Sequence, residues 1–122
     1  MHTPAYSEPL WVACLCAAWC GTCREYRATF DSVAAACPDA RFVWIDVEDE
    51  ADLVDPIDIE NFPTLLIAAR GEPVFFGPLT PHRETLVRLV RSHVEGNGGL
   101  PLEGDVRDLV TRLQNAGWDP LT

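Results

Sequence analysis

From Leu10 to Ala18 the chain is almost continuously apolar, Leu-Trp-Val-Ala-Cys-Leu-Cys-Ala-Ala. A run of that kind predicts a strand over 10–16 that is buried on both faces. The rhythm then lengthens. Tyr26, Phe30, Val33, Ala34 and Cys37 recur at helical spacing, while Arg24, Glu25, Arg27 and Asp31 occupy the opposite side, which predicts an amphipathic helix over 20–36. Arg41-Phe-Val-Trp-Ile-Asp46 reads as the next strand. Arg70-Gly71-Glu72-Pro73 supplies a turn that joins strand 64–69 to strand 74–76 as a hairpin. Thr80 followed by Pro81 predicts a helix start, and Leu86, Leu89, Val90 and Val94 carry its apolar stripe to about residue 94. The resulting order is β-α-β-α-β-β-α.

Beyond that point the pattern breaks. Residues 95–104, Glu-Gly-Asn-Gly-Gly-Leu-Pro-Leu-Glu-Gly, read as a flexible linker. Asp105 then caps a short helix bearing Val106, Leu109, Val110 and Leu113, with Gly117 at its end. A helix this short is not stable alone, so its stripe must dock. The expected site is surface left uncovered by the short N-terminus of the same chain; a second copy is the alternative. Residues 1–94 are thus expected to form one domain, with 95–122 a linker and a helix docked on it.

At 122 residues and 48% hydrophobic composition, the chain can bury one core of ordinary domain size. Its net charge of −10 argues against nucleic acid as a partner. Eight carboxylates fall between Asp46 and Glu60 with no base among them, mostly a solvated surface. Glu60 is placed to give a nearby binding groove a negative rim that favours basic clients. Five cysteines, an odd number, argue against a fully stapled secreted fold. No basic and apolar leader and no long apolar run appears, so a cytoplasmic protein without a membrane span is expected. His2, His82 and His93 show no metal-ligand spacing.

Candidate chemistry sits at the seam between the first strand and first helix, where Trp19-Cys20-Gly21-Thr22-Cys23 places two thiols three residues apart. A C-x-x-C alone is shared by zinc, iron–sulfur and redox sites. Its context favours redox, because it lies in a β-α-β pattern and no second cysteine pair follows Cys37. Cys20 would begin the helix, where unpaired N–H groups and the helix dipole favour a thiolate. Cys23, one turn on, would resolve a mixed disulfide formed at Cys20. Cys14 and Cys16 lie two apart on the strand and face the same side, beneath the helix. Packing as small apolar residues is the expected role of both, with an auxiliary redox role or a metal site as alternatives.

Trp19-Cys20-Gly21-x-Cys23, together with Phe62-Pro63-Thr64-Leu65-Leu66-Ile67, resembles the thioredoxin superfamily over roughly residues 8–94. The resemblance implies an α/β, thioredoxin-like three-layer fold with a central mixed sheet, a reduced N-terminal element and an extra C-terminal helix. It implies a thiol–disulfide oxidoreductase in which Cys20 and Cys23 form the redox-active pair. Trp19, Gly21, Thr22, Phe62, a cis Pro63 and Gly77 would line the substrate groove. Partners implied are protein substrates and a separate reductase or dithiol donor, with no organic cofactor, no metal and a monomer in preference to a dimer. Two other functions fit less of the sequence: an adaptor or chaperone on the same scaffold, and a metal or cluster carrier using Cys14, Cys16, Cys20 and Cys23.

Departures from the family bear on rate and potential. Cys14 stands where a typical thioredoxin has a buried aspartate that moves the proton of the second cysteine. The chain contains no lysine, and Phe42 is read at the place of the lysine that pairs with that aspartate. Slower release of mixed disulfides is expected. Gly21-Thr22 replaces the usual Gly-Pro, which predicts a potential more oxidising than the thioredoxin value of about −270 mV. Ala28 replaces the proline that kinks the helix, so a straighter helix is expected. With about nine residues before the first strand, one sheet edge is expected to be open.

Overall fold

The structure is a computed structural model that describes residues 10–17, 19–55, 57, 59–69, 71–94 and 101–116. The N-terminal stub, most of the 95–104 linker, Asp58 and Gly117 lie outside the described residues. The elements are β1 (Leu10–Cys16), α1 (Gly21–Ala36), β2 (Ala40–Asp46), α2 (Ala51–Val54), β3 (Thr64–Ala69), β4 (Glu72–Pro78), α3 (Arg83–Val94) and α4 (Asp105–Asn115). The sheet order is β2-β1-β3-β4, with β1 parallel to β2 and the other pairs antiparallel. A mixed sheet follows from the connections, since α1 crosses over between β1 and β2 while β3 and β4 form a hairpin.

Central β1 is apolar throughout because each face meets helices. Val12, Cys14 and Cys16 enter a core with Tyr26, Phe30 and Val33 of α1 and Leu86 and Val90 of α3. Ala13 and Leu15 point the other way, into a core with Leu109, Val110 and Leu113 of α4 and Val54 of α2. The two-residue period of a strand thus sorts the chain into three layers. Helix α4 docks on the same chain, on the face opposite α1 and α3, where four-residue α2 would cover little. Arg112 Nε donates to the Leu53 carbonyl at 2.8 Å, and Arg107 pairs with Glu72 at 3.2 Å.

Several boundaries differ from those read in the sequence. Strand β4 runs through Pro73, which is tolerated because β4 is an edge strand with a register shift between Ile67 and Ala68. The Pro73 carbonyl accepts from Leu102 N–H at 2.7 Å, which leads the chain along this edge into α4. Helix α3 begins at Arg83 rather than Pro81. The His82 carbonyl takes the first helical bond, from Leu86 N–H at 3.3 Å, and Thr80 Oγ1 lies 3.2 Å from Thr85 Oγ1 instead of capping. Gly104, at φ 80°, occupies the N-cap of α4, and Asp105 falls inside the first turn with Asp108, where both complement the dipole. Among the described residues, no strand pairs with the outer side of β2.

Candidate active site

Strand β1 ends and α1 begins at one end of the sheet, and a tight turn joins them. Cys20 N–H donates to the Ala17 carbonyl at 3.1 Å, and the Cys20 carbonyl accepts from Arg24 N–H at 3.1 Å, so Cys20 is the N-cap of α1. Its side chain is half-buried and its thiol is free. Trp19 projects beside it, 62% exposed. Its indole N–H donates to Glu48 Oε2 at 2.7 Å, and its ring meets Phe62 edge-on at 5.6 Å between centroids. Glu48 is presented by a turn in which Asp46 Oδ1 accepts from Glu48 N–H at 2.8 Å and Asp49 N–H at 3.2 Å. Glu48 is thus an acidic side chain at this rim, and the exposed Glu60 has no described contact with Trp19.

Phe62–Pro63 is a cis peptide bond, and Pro63 is buried at the start of β3. Thr64 Oγ1 donates to the Asn61 carbonyl at 2.6 Å, and the Pro63 carbonyl accepts from Leu79 N–H at 3.0 Å. Gly77 lies opposite Leu65 in β4, near the same end of the sheet. A Cβ there would meet Phe75 at an ordinary 3.9 Å, so local space does not require glycine. Gly21 and Thr22 are exposed in the first turn of α1.

The sulfur pairing departs from the expected one. Cys23 forms a disulfide with Cys16, not with Cys20. Position explains the choice. Cys23 points down onto the sheet, 1% exposed, and Cys16 ends β1 on the same side, with 5.8 Å between Cα atoms. Cys20 sits at the outer lip of the helix. The sequence carried a signal for this arrangement: the stripe Tyr26, Phe30, Val33 extends back one turn to Cys23, which places that residue over the strand face bearing Cys14 and Cys16. Ala17 N–H donates to Cys23 Sγ at 3.4 Å, and Cys14 Sγ donates to Cys16 Sγ at 3.9 Å. Cys37 caps the far end of α1 as a free, half-buried thiol.

Burial pushes the Cys14 thiol up, and Arg27 offsets this only in part. Burial also pushes the Tyr26 phenol up, with Cys14 adding to the effect. The residue opposite Cys14 on β2 is Trp44, and Phe42 pairs with Val12. The guanidinium of Arg27 lies 4.9 Å from the Trp44 ring centre and pairs with Asp31 at 3.3 Å. Among the described residues, no group of three or more His, Cys, Asp or Glu side chains is arranged to hold a metal ion. No described helix is long and apolar enough to cross a membrane.

Known proteins resemble this chain in sequence and in fold. Putative thioredoxin 2 of Streptomyces coelicolor is 34% identical over 62 residues, which cover 51% of this chain and 46% of that protein. The thioredoxin of Gallus gallus is 33% identical over 70 residues, covering 57% and 67% respectively. The chain spans about half the length of the first relatives it matches, 46%, 54% and 55% of them. Among solved structures, a point mutant of the Halobacterium salinarum thioredoxin superposes with a TM-score of 0.64 at 26% identity, over 73% of this chain and 78% of that one. Thioredoxin from Trypanosoma brucei brucei gives 0.64 at 22% identity, over 75% and 80%, a likeness of fold. The model of the family described as Thioredoxin matches residues 5–91, the span holding the cysteine turn, the cis proline and the four described strands, and the chain belongs to that family.

Proposed function

We propose that this chain is a thiol–disulfide oxidoreductase acting on protein substrates. The observation that carries the reading is a half-exposed free thiol, Cys20, at the N-terminus of α1, three residues from a cysteine already engaged in a disulfide. In the reduced chain, Cys20 as thiolate attacks one sulfur of a client disulfide, and the other client sulfur leaves as a thiolate that takes a proton. Cys23, as thiolate, then attacks Cys20 Sγ and releases the second client thiol. Two electrons pass to the client, and a separate reductase or dithiol restores the chain. Trp19, Phe62 and Pro63 form the substrate groove, with Gly21, Thr22 and Gly77 at its margins.

The position that would hold the relay carboxylate is Cys14, whose thiol burial keeps protonated, and Asp46, opposite Cys16 on β2, is turned to the Glu48 and Asp49 N–H groups, from which its Oδ1 accepts at 2.8 and 3.2 Å. Cys23 therefore loses its proton without an acidic relay, and mixed disulfides are released slowly. The acidic rim favours basic clients. The chain acts as a monomer, and its odd cysteine count suits a reducing, cytoplasmic setting. Insulin reduction tests the activity: Cys20→Ser abolishes it, and Cys23→Ser accumulates clients as mixed disulfides on Cys20. Absence of insulin reduction by the wild type would favour an adaptor on this scaffold instead.

A further inference from the structure

The disulfide here is not the one the proposed reaction makes. We propose that Cys16 is a third redox-active sulfur, which exchanges with the Cys20–Cys23 disulfide to give the buried Cys16–Cys23 disulfide and a regenerated Cys20 thiol. This rests on the oxidoreductase reading. In the exchange, Cys16 as thiolate attacks Cys23 Sγ, a Cys16–Cys23 bond forms, the Cys20–Cys23 bond breaks, and Cys20 leaves as a thiolate. One S–S bond replaces another, no electrons enter or leave, and the proton released by Cys16 is matched by the one Cys20 can take up.

Cys23 is common to both disulfides because of where it stands. It follows the N-cap Cys20 by three positions, and an N-cap side chain and the residue at N3 are neighbours across the first turn. It also faces the end of β1, where its Cα lies 5.8 Å from that of Cys16, inside the range a disulfide spans. Neighbouring groups suit exchange on the buried side. Ala17 N–H points at Cys23 Sγ at 3.4 Å and helps to hold in place the sulfur that Cys16 and Cys20 attack in turn. The Cys14 thiol, 3.9 Å from Cys16 Sγ, is a donor to Cys16 when that sulfur is anionic. Cys14 is itself 0% exposed and takes no part in either disulfide.

The arrangement has two consequences. An oxidised chain still presents a free thiol at its surface, so it can form mixed disulfides after its dithiol has been spent. The oxidised equivalent meanwhile lies beneath α1, where an external thiol reaches it only by way of Cys20. The buried isomer also stabilises the oxidised form as a whole. A tenfold preference for Cys16–Cys23 over Cys20–Cys23 lowers the reduction potential by about 30 mV relative to a chain lacking Cys16.

Thiol counting after oxidation with excess oxidised glutathione, followed by removal of mixed glutathione adducts by mass, tests the proposal. Cys20→Ser should lose two thiols to an internal disulfide, and the double variant Cys16→Ala with Cys20→Ser should lose none. Oxidised wild type should take iodoacetamide on Cys20 under native conditions, located by peptide mass and counted apart from any label on the half-buried Cys37. Cys16→Ala, with Cys16→Ser as a second choice should the first fold poorly, should show a higher potential than wild type. Retention of every thiol by Cys20→Ser, or an unreactive Cys20 in the oxidised wild type, overturns the proposal while insulin reduction by the wild type leaves the functional reading standing. A wild type that never reduces insulin, although Cys20→Ser still forms the buried disulfide, removes the functional reading and with it the relay.

Discussion

Replacing Leu109 by Ala tests whether α4 is part of this fold or an appendage. Leu109 is 0% exposed and packs in the core formed by Ala13 and Leu15 of β1, Ile45 of β2 and Leu66 of β3. Cutting its isobutyl group back to a methyl costs about 3 kcal/mol, since Leu→Ala at buried sites spans roughly 2–5 kcal/mol. Alanine is the better helix former, so none of this loss comes from helix propensity. A domain of 122 residues has a total stability of about 6–18 kcal/mol at the usual value per residue. The loss is therefore a sizeable share of the whole. In urea, with a slope of about 1.5–2 kcal/mol per molar, the midpoint should fall by about 1.5–2 M. Thr111→Ala, at an exposed position on the same helix, should change stability by less than about 0.5 kcal/mol. The shift should not depend on protein concentration, because α4 docks on its own chain; a dependence would point to a second copy. A Leu109→Ala midpoint within about 0.3 M of wild type would refute the packing of α4 on the sheet.

Three further outcomes follow from the site. Burial raises Cys14 in the folded chain above its ordinary value of 9.0, so both states stay protonated below that pH and stability is flat there. Above it the unfolded chain ionises Cys14 and the folded chain does not, so stability falls by about 1.4 kcal/mol per pH unit, a slope that Cys14→Ala should lose in denaturation measured from pH 8 to 10.5. Tyr26 Oη is buried with no hydrogen-bond partner among the described residues, so Tyr26→Phe should stabilise by about 1 kcal/mol and raise Tm by about 3–6 °C in a calorimetric scan. Glu48→Ala frees the Trp19 indole from an exposed bond worth less than about 1 kcal/mol, so KM for insulin should change by no more than about fivefold while kcat holds.

The strand and helix periods made most of this architecture legible from sequence. Leu10–Cys16 and Thr64–Ala69 stand where the apolar runs place them, because a strand enclosed by helices has no polar side to blur its limits. Helix starts were harder. Thr80-Pro81 and Asp105 carry the right residue types for caps, yet the first carbonyls engaged belong to His82 and Gly104, a choice made by how each helix seats on the sheet. The C-x-x-C was plain, but sequence spacing says which thiols lie on one helix and not which lie across from it. Only the register of β1 beneath α1 brings Cys16 to Cys23. Likewise Glu48 was one of eight similar carboxylates until the turn built on Asp46 directed it to Trp19.

The Gly21-Thr22 dipeptide and the third sulfur act on different oxidised isomers, and this makes their effects on potential unequal. The dipeptide lies between Cys20 and Cys23 and governs the ring those two close. Cys16–Cys23 spans from strand to helix and includes the dipeptide only in its longer loop. Suppose Thr22→Pro, a residue tolerated in the first turn of a helix, favours the Cys20–Cys23 disulfide tenfold. In a Cys16→Ala background, where that disulfide is the one available to Cys23, the potential then falls by about 30 mV. In the wild-type background, with the buried isomer already favoured tenfold, the oxidised total rises from about 11 to about 20 relative units, and the potential falls by only about 8 mV. Cys16 thus buffers the potential against changes in the active-site turn. Equilibration of the four proteins against glutathione, read by thiol alkylation, measures both shifts. Equal shifts in the two backgrounds would mean that Cys16 takes no share of the oxidised state, and the buried disulfide would then have no part in setting the potential.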